Sequence, residues 1–270
     1  MKIAVIFLLL INSLPTLAVQ KVEIATYDIL PPFAFRKSGK LTGVYIEIVK
    51  EAISKMPDYK VEFKVNPWAR AKDLTERGLV FGILPPYFHA HDWLTKKEPK
   101  KPYIWPYSMQ LYEQTDVVYC HKKVLEKPRN KFPEDYKGLT FVRFRGDGRA
   151  GAKFEEMVKA KVISLNEVKD IKGSILVFIS NRADCVVSSR LPFKWWAKKL
   201  LEEGKLERFN KESIQESKVI SKNAGYLGYT DINVGSYPFK DDFVKKFDIQ
   251  IYLMKKSGKI DEIIKSFTDF

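Results

Sequence analysis

The chain has 270 residues, of which 45% are hydrophobic, and a formal net charge of +14. This composition is ordinary for a globular chain, and the length suits one large domain or two lobes. The lysines are spread along the whole chain and no recognition motif accompanies them, so the charge indicates a solvated basic surface rather than nucleic-acid binding. An acidic ligand or an anionic membrane surface stays open as an alternative.

Residues 1–18 have the pattern of a secretory signal peptide. Lys2 precedes an apolar run over residues 3–11, and the small residue Ala18 stands at the expected cleavage site. The run is too short for a spanning helix, which needs about 20 apolar residues. No cysteine stands at the cleavage site, so a lipid anchor is not expected. We therefore predict a mature protein that starts near Val19 and acts outside the cytoplasm.

The stretch over residues 24–53 reads as a strand, a Pro-Pro corner, a glycine turn and a helix. Pro31 and Pro32 cannot continue a central strand, so the first strand ends before them. Asp28 and Phe33 therefore lie at or beyond the carboxyl end of that strand, where ligands bind in open α/β sheets. From Val44 onward the apolar spacing predicts a helix.

Further strands and helices alternate after this stretch. Residues 60–65 alternate with period two, residues 68–77 read as a helix that stops at Gly78, and residues 79–84 form a continuous apolar run. This alternation predicts a parallel-type α/β lobe. Trp68 and Arg70 stand at its loop-to-helix corner.

These segments resemble the family 3 extracellular solute-binding proteins of amino-acid ABC importers. That family opens with a strand, an aromatic or acidic residue, a Pro-Phe step, a glycine hairpin and a helix, as residues 24–53 do. The resemblance extends over nearly the whole mature chain, and residues 181–189 and 256–265 also match its steps. It implies an α/β fold of the type II periplasmic-binding-protein class, with a ligand cleft between two lobes joined by two crossing segments. The expected division gives residues 19–115 and 219–270 to the first lobe and residues 116–218 to the second.

A glycine-rich loop follows the strand predicted over residues 139–144. Gly146, Gly148 and Gly151 lie in it beside Arg149. Backbone N–H groups at a helix start suit an anion, and a guanidinium adds a fork for a carboxylate or phosphate. The loop lacks the Gly-Lys-Ser/Thr ending of a Walker A sequence, and its glycine spacing alone is a weak dinucleotide signal. A plain tight turn stays open, while the resemblance implies contact with the ligand's acidic end.

The resemblance also implies two anchors for an α-amino acid, and both are missing. An arginine is expected after the third strand, but residues 86–92 contain none. An aspartate is expected near the end of the second-lobe strand, where Ser188 and Ser189 stand instead. Arg70 or Arg149 are candidates for the first role, and Asp28 or Asp92 for the second. These departures favour a ligand other than a standard α-amino acid, or a receptor role.

The candidate ligand-binding residues are therefore Tyr27, Asp28, Phe33, Trp68, Arg70, Tyr87, Gly146, Arg149, Ser188 and Ser189. No metal site is expected, because His89 and His91 lack a third ligand in the pattern. No cofactor is expected either. Cys120 and Cys185 lie in β-like runs of an exported chain and are compatible with one disulfide, although sequence alone does not bring them together.

We predict a non-enzymatic protein that captures a small polar solute, amino-acid-like or otherwise carboxylate-bearing, by hinge closure. It would present this solute to an inner-membrane ABC permease or a receptor, and a monomer is expected. One alternative is an exported enzyme on the same scaffold, similar to cyclohexadienyl dehydratases, with Asp28 or Asp92 as its acid. No triad, nucleophile elbow or metal cluster supports that alternative. The other is a sensor or interaction module without a ligand.

Overall fold

The computed structural model describes residues 19–87, 93–205 and 214–268. The predicted signal peptide and His89, His91 and Asp92 lie outside these residues. The described strands are β1 Gln20–Thr26, β2 Ile29–Leu30, β3 Ala34–Lys37, β4 Lys40–Thr42, β5 Tyr59–Val65, β6 Gly82–Ile83, β7 Ile104–Tyr107, β8 Tyr112–His121, β9 Thr140–Phe144, β10 Ser164–Val168, β11 Cys185–Ser189, β12 Ile214–Gly225 and β13 Gly228–Thr230. The described helices are α1 Val44–Ser54, α2 Trp68–Glu76, α3 Ala152–Lys159, α4 Ile171–Ile179, α5 Arg190–Glu202, α6 Lys240–Lys256 and α7 Lys259–Thr268.

The first lobe is built on a sheet of order β5-β1-β6-β13-β7. Strand β1 runs parallel to β5 and β6, whereas β13 is antiparallel to both of its neighbours. Apolar residues of α1 and α6 pack against Val22 and Ile24, and α2 packs against Ala25 through Ala71. The sheet is therefore covered on both faces, as its apolar strands require.

Helix α1 begins where the backbone leaves no room for a side chain. Gly43 has φ 128°, and a Cβ there would lie 2.5 Å from the carbonyl carbon of Phe33 and 2.8 Å from the nitrogen of Ala34. Only glycine fits such a close approach. The predicted apolar face of this helix is buried at Val44, Ile48 and Ala52.

The second lobe is built on a sheet of order β10-β9-β11-β8-β12. Its first three strands are parallel, and β8 and β12 are antiparallel to their neighbours. Phe154 of α3 packs on one face, while Phe178 of α4 and Phe193 of α5 pack on the other. Cys120 and Cys185 stand directly opposite each other in β8 and β11, and the structure joins them in a disulfide.

The chain passes between the lobes twice, after β7 and after β12. These two segments are hydrogen-bonded to each other: Leu111 N donates to Gly225 O at 2.9 Å, and Ser108 N donates to Leu227 O at 2.8 Å. The two-lobe α/β architecture is thereby confirmed. The lobe boundaries at residues 115 and 218 stay a prediction, since both positions fall inside strands β8 and β12 of the second sheet.

Of the strand predicted over residues 79–84, only Gly82–Ile83 forms a regular strand, β6. Its flanks still follow β1, because Phe81 N and Leu84 N donate to the carbonyls of Glu23 and Ala25. None of the helices in the described part of the chain has both the length and the apolarity that crossing a membrane requires.

Candidate functional site

The first lobe presents three aromatic side chains just beyond the carboxyl ends of its parallel strands. Tyr27 follows β1, Trp68 begins α2 after β5, and Tyr87 follows β6. The ring centroids of Tyr27 and Trp68 lie 4.9 Å apart in an edge arrangement. Burial raises the pKa of Tyr27 well above its ordinary value, and the neighbouring Tyr87 raises it further. We call these three residues the aromatic wall; it carries no charge at neutral pH.

The second lobe presents charged groups at the corresponding edge of its own sheet. Arg149 lies in the loop after β9, where Nε donates to Asp147 Oδ1 at 2.7 Å. Its Nη1 donates to Asp116 Oδ1 at 2.9 Å and to Ser189 Oγ at 2.5 Å. Asp116 is the residue of β8 directly opposite Ser189 of β11, so sheet register brings these groups together. We call Arg149, Asp116, Asp147 and Ser189 the Arg149 cluster.

Asp116 is buried, with 3% of its surface exposed, and it accepts further hydrogen bonds around its carboxylate. Ser221 Oγ donates to Oδ2 at 2.8 Å, and Ser189 Oγ donates to Oδ1 at 2.5 Å. The amides of Gln114 and Asn223 approach at 3.3 and 3.5 Å. A buried carboxylate is tolerated only when it is paired and hydrogen-bonded in this way.

The cluster as a whole has one negative charge more than it has positive charges. Asp116 and Asp147 each contribute a carboxylate, and Arg149 contributes one guanidinium. Asp147 is 6% exposed, and its Oδ2 has no hydrogen-bond partner among the described residues. Phe144 lies 5.7 Å from the guanidinium carbon and helps to hold it in place.

Tyr87 connects the aromatic wall to the Arg149 cluster through the crossing strands. Its backbone pairs with Gly225 at the end of β12, and its hydroxyl donates to Gln114 Oε1 at 3.2 Å. Burial raises the pKa of Tyr87, and nearby Asp116 acts in the same direction. The two edges thus meet at one place beside the hinge.

Five of the residues predicted from sequence are gathered at this place: Tyr27, Trp68, Tyr87, Arg149 and Ser189. Ser188 is buried next to them, at 4% exposure. Asp116, Asp147, Ser221, Asn223 and Gln114 were missed by the sequence reasoning. Two signals were available: Asp116 stands directly before the apolar run Val117-Val118-Tyr119 of a predicted strand, and Asp147 stands inside the glycine-rich loop.

The other predicted residues are engaged elsewhere. Asp28 Oδ2 accepts from Arg36 Nε at 2.6 Å, and Arg70 Nη1 donates to Asp73 Oδ2 at 2.6 Å. Phe33 is 1% exposed and belongs to the core of the first lobe. Ligand contacts of these residues stay predictions that their present partners do not support.

Gly146 is an exposed turn residue with φ 80°, and its predicted role also stays untested. Among the residues that the structure describes, no group of three or more His, Cys, Asp or Glu side chains is arranged to hold a metal ion.

Comparison with known families gives one match, which covers most of the chain. The family described as bacterial extracellular solute-binding proteins, family 3, matches residues 22–270. No curated protein matches the sequence.

Solved structures share the architecture at low sequence identity. Substrate-binding domain 2 of GlnP from Lactococcus lactis, in an open conformation, has a TM-score of 0.63 at 15% identity and covers 93% of this chain and 96% of its own. The unliganded L-cystine solute receptor of Neisseria gonorrhoeae has a TM-score of 0.62 at 19% identity, with 92% of each chain covered. A structure described for glutathione import through GshT and a cystine ABC importer of Streptococcus mutans has a TM-score of 0.57 at 16% identity, covering 92% of this chain and 95% of that one. At these identities the likeness shows the fold.

Proposed function

Because the chain belongs to the bacterial extracellular solute-binding proteins of family 3, we propose that it captures one small polar, amino-acid-like solute between its two lobes. The observation that carries this proposal is the meeting of the aromatic wall and the Arg149 cluster beside the hinge. Each lobe contributes one half of the contact surface, so a ligand that touches both halves stabilises their approach. Clefts between domains are the usual place for such sites.

Capture would proceed by hinge closure about the paired crossing segments. Two short, mutually hydrogen-bonded connections restrict the relative motion of the lobes to a bend near Leu111 and Gly225. A ligand shifts the equilibrium toward the closed form only by its greater affinity for that form. Contacts to both lobes supply this difference.

The loaded protein would present its solute in the periplasm to an ABC permease or a receptor. Family membership supports this role. The proteins with similar folds include a GlnP substrate-binding domain and an L-cystine receptor, which supports a solute of amino-acid size. We propose no second function, since no observation on the described residues favours one: Asp28, one candidate acid of the enzymatic alternative, is ion-paired with Arg36, and Asp92, the other, lies outside the described residues.

Thermal unfolding of residues 19–270 in the presence of single solutes tests the proposal. The panel contains amino acids, amines, carboxylic acids and short peptides. A solute that binds only the folded state stabilises it by about 2.7 kcal/mol at a hundredfold excess over its Kd. Small-angle scattering on the same sample is expected to show a smaller radius of gyration with the stabilising solute.

Trp68→Ala is expected to abolish the stabilisation, whereas Trp105→Ala is the matched control. Trp105 is 57% exposed and lies outside the aromatic wall. A panel without any stabilising compound would contradict the proposal. Equal loss of stabilisation in both tryptophan variants would move the site away from the aromatic wall.

A further inference from the structure

We infer that the charge recognised on the ligand is positive: the site takes a protonated organic amine with an apolar body and does not require a ligand carboxylate. This inference rests on the proposed function and specifies its substrate class. It follows from the charges of the Arg149 cluster, from the carboxylate partners that Arg149, Arg70 and Arg190 already have, and from the neutrality of the aromatic wall.

The first argument is the charge imbalance of the Arg149 cluster. Two buried carboxylates, Asp116 and Asp147, surround one guanidinium. Burial of an uncompensated charge is costly, and an incoming cation removes this cost. Asp147 Oδ2 has no hydrogen-bond donor among the described residues, so it offers an acceptor to an ammonium.

The second argument is that Arg149, Arg70 and Arg190 already have carboxylate partners. Arg149 donates to two carboxylates, and Arg70 is paired with Asp73. Arg190, next to Ser189, forms a two-point ion pair with Glu216. A ligand carboxylate would approach Asp116 and Asp147 while each of these three guanidinium groups is already paired, and like charges at close range repel.

The third argument is the chemistry of the aromatic wall. Tyr27, Trp68 and Tyr87 present ring surfaces and hydroxyls rather than cations. Ring faces attract a cation electrostatically and also accept hydrocarbon. The ammonium group of such an amine would therefore contact the Arg149 cluster of the second lobe, and its apolar group would contact the aromatic wall of the first.

Calorimetric titration of the wild-type protein with matched ligands tests the inference. The ligands carry a butyl, a phenylethyl or an imidazolylethyl group. Each group is tested as the amine, as the corresponding α-amino acid and as the corresponding carboxylic acid. Among ligands with the apolar group that fits the site, the amine is expected to bind about tenfold or more tighter than the carboxylic acid. The amine gains a charged hydrogen bond, whereas the acid is repelled by the carboxylates of the Arg149 cluster. The affinity for the α-amino acid is expected to be no higher than the affinity for the amine.

The outcomes separate the inference from the function on which it rests. Binding of carboxylic acids or amino acids in preference to amines overturns the inference and leaves the solute-binding function standing. Failure of every member of the panel overturns both.

Asp147→Asn supplies a second readout on the same ligands. This variant leaves the cluster with one carboxylate and one guanidinium, so amine binding is expected to weaken about tenfold or more while acid binding strengthens. Asp261→Asn, at an exposed position of α7, is the matched control. Equal affinities for the amine in wild type and Asp147→Asn, with both proteins folded by thermal melting, contradict the inference. The wild-type titrations decide the question if the variant does not fold.

Discussion

The role of Arg149 in this protein depends on the carboxylates with which it is paired. Arg149 alone is an anion-binding residue in a glycine-rich loop. Paired with Asp116 and Asp147, it is a neutralised group within a cluster that has excess negative charge. The same guanidinium therefore favours an anionic ligand when it is unpaired and is compatible with a cationic ligand when two carboxylates surround it.

His121 provides a prediction at the residue scale, about pH. It is buried at the end of β8, where Nε2 lies 3.0 Å from Phe178 O. Burial lowers the pKa of His121 below its ordinary value of 6.5, although the Phe178 carbonyl and Asp184 act in the opposite direction. Lys123 also lowers it. The unfolded chain therefore takes up a proton at a higher pH than the folded protein does.

The sign of the effect follows from this difference in pKa. At a pH above the ordinary histidine pKa, His121 is neutral in both the folded and the unfolded state, and its contribution to stability is fully present. As the pH falls below that value, the unfolded state binds the proton more readily, so the free energy of unfolding decreases. His121→Gln removes this titration, so the free energy of unfolding should fall less between pH 7 and pH 5 in the variant. Urea denaturation at several pH values measures this slope. Parallel curves for the two proteins would show that His121 contributes nothing to it.

At the scale of elements, the crossing strands are fixed by close backbone approach. Gly225 ends β12, pairs with Tyr112 and bridges to Tyr87. A Cβ at this position would lie 2.5 Å from Cζ and 2.7 Å from Cε1 of Tyr45. Tyr45 is fully buried in α1, so its ring has no space into which it can move.

Gly225→Ala is therefore expected to lower the free energy of unfolding by about 1–3 kcal/mol through overpacking. Gly235→Ala is the matched control, since a Cβ there meets nothing within 4 Å and its φ is not positive. Thermal or urea unfolding of both variants checks the prediction. If Gly225→Ala is as stable as the control, the Tyr45 contact does not constrain the hinge.

At the scale of the whole molecule, one aromatic contact joins the lobes away from the site. Phe35 of β3 lies 5.3 Å from the ring of Trp195 on α5 and 6.2 Å from that of Phe267 on α7. Phe35 belongs to the first-lobe hairpin, the small antiparallel sheet of β2, β3 and β4, and Trp195 belongs to a helix of the second lobe. The contact holds the lobes in the arrangement of this structure.

Phe35→Ser removes this contact and should broaden the distribution of distances between the lobes in the unliganded protein. Spin labels at the exposed positions Lys60 and Lys169, one in each lobe, report that distribution by pulsed electron resonance. Ile29→Ser is the control, because Ile29 is 78% exposed on the neighbouring strand of the hairpin. Identical distributions in both variants would mean that the contact does not restrain the lobes.

Local pattern in the sequence was sufficient for the fold class and named Tyr27, Trp68 and Tyr87 among the ten candidate ligand-binding residues. The structure brings these three side chains to the carboxyl ends of the first-lobe strands, because the carboxyl ends of parallel strands share one edge. The glycine-rich loop pointed to Arg149 in the same way. These conclusions depend on residues close in sequence, whose spacing is visible without any tertiary information.

The partners of these residues depend on strand pairing, which the sequence does not contain in readable form. Asp116 is separated by 33 positions from Arg149 and by 105 from Ser221. It reaches Ser221 because β8 and β12 are antiparallel, with register shifts in β12 that place Ser221 opposite Asp116. It reaches Arg149 because β11 lies between β8 and β9, and Arg149 is in the loop that follows β9. A shift of one residue in the pairing would turn the Asp116 side chain to the other face. The sequence by itself therefore determined the two-lobe fold and the family, and the tertiary structure decided the charge of the Arg149 cluster, because that charge is a sum over strands brought together only by folding.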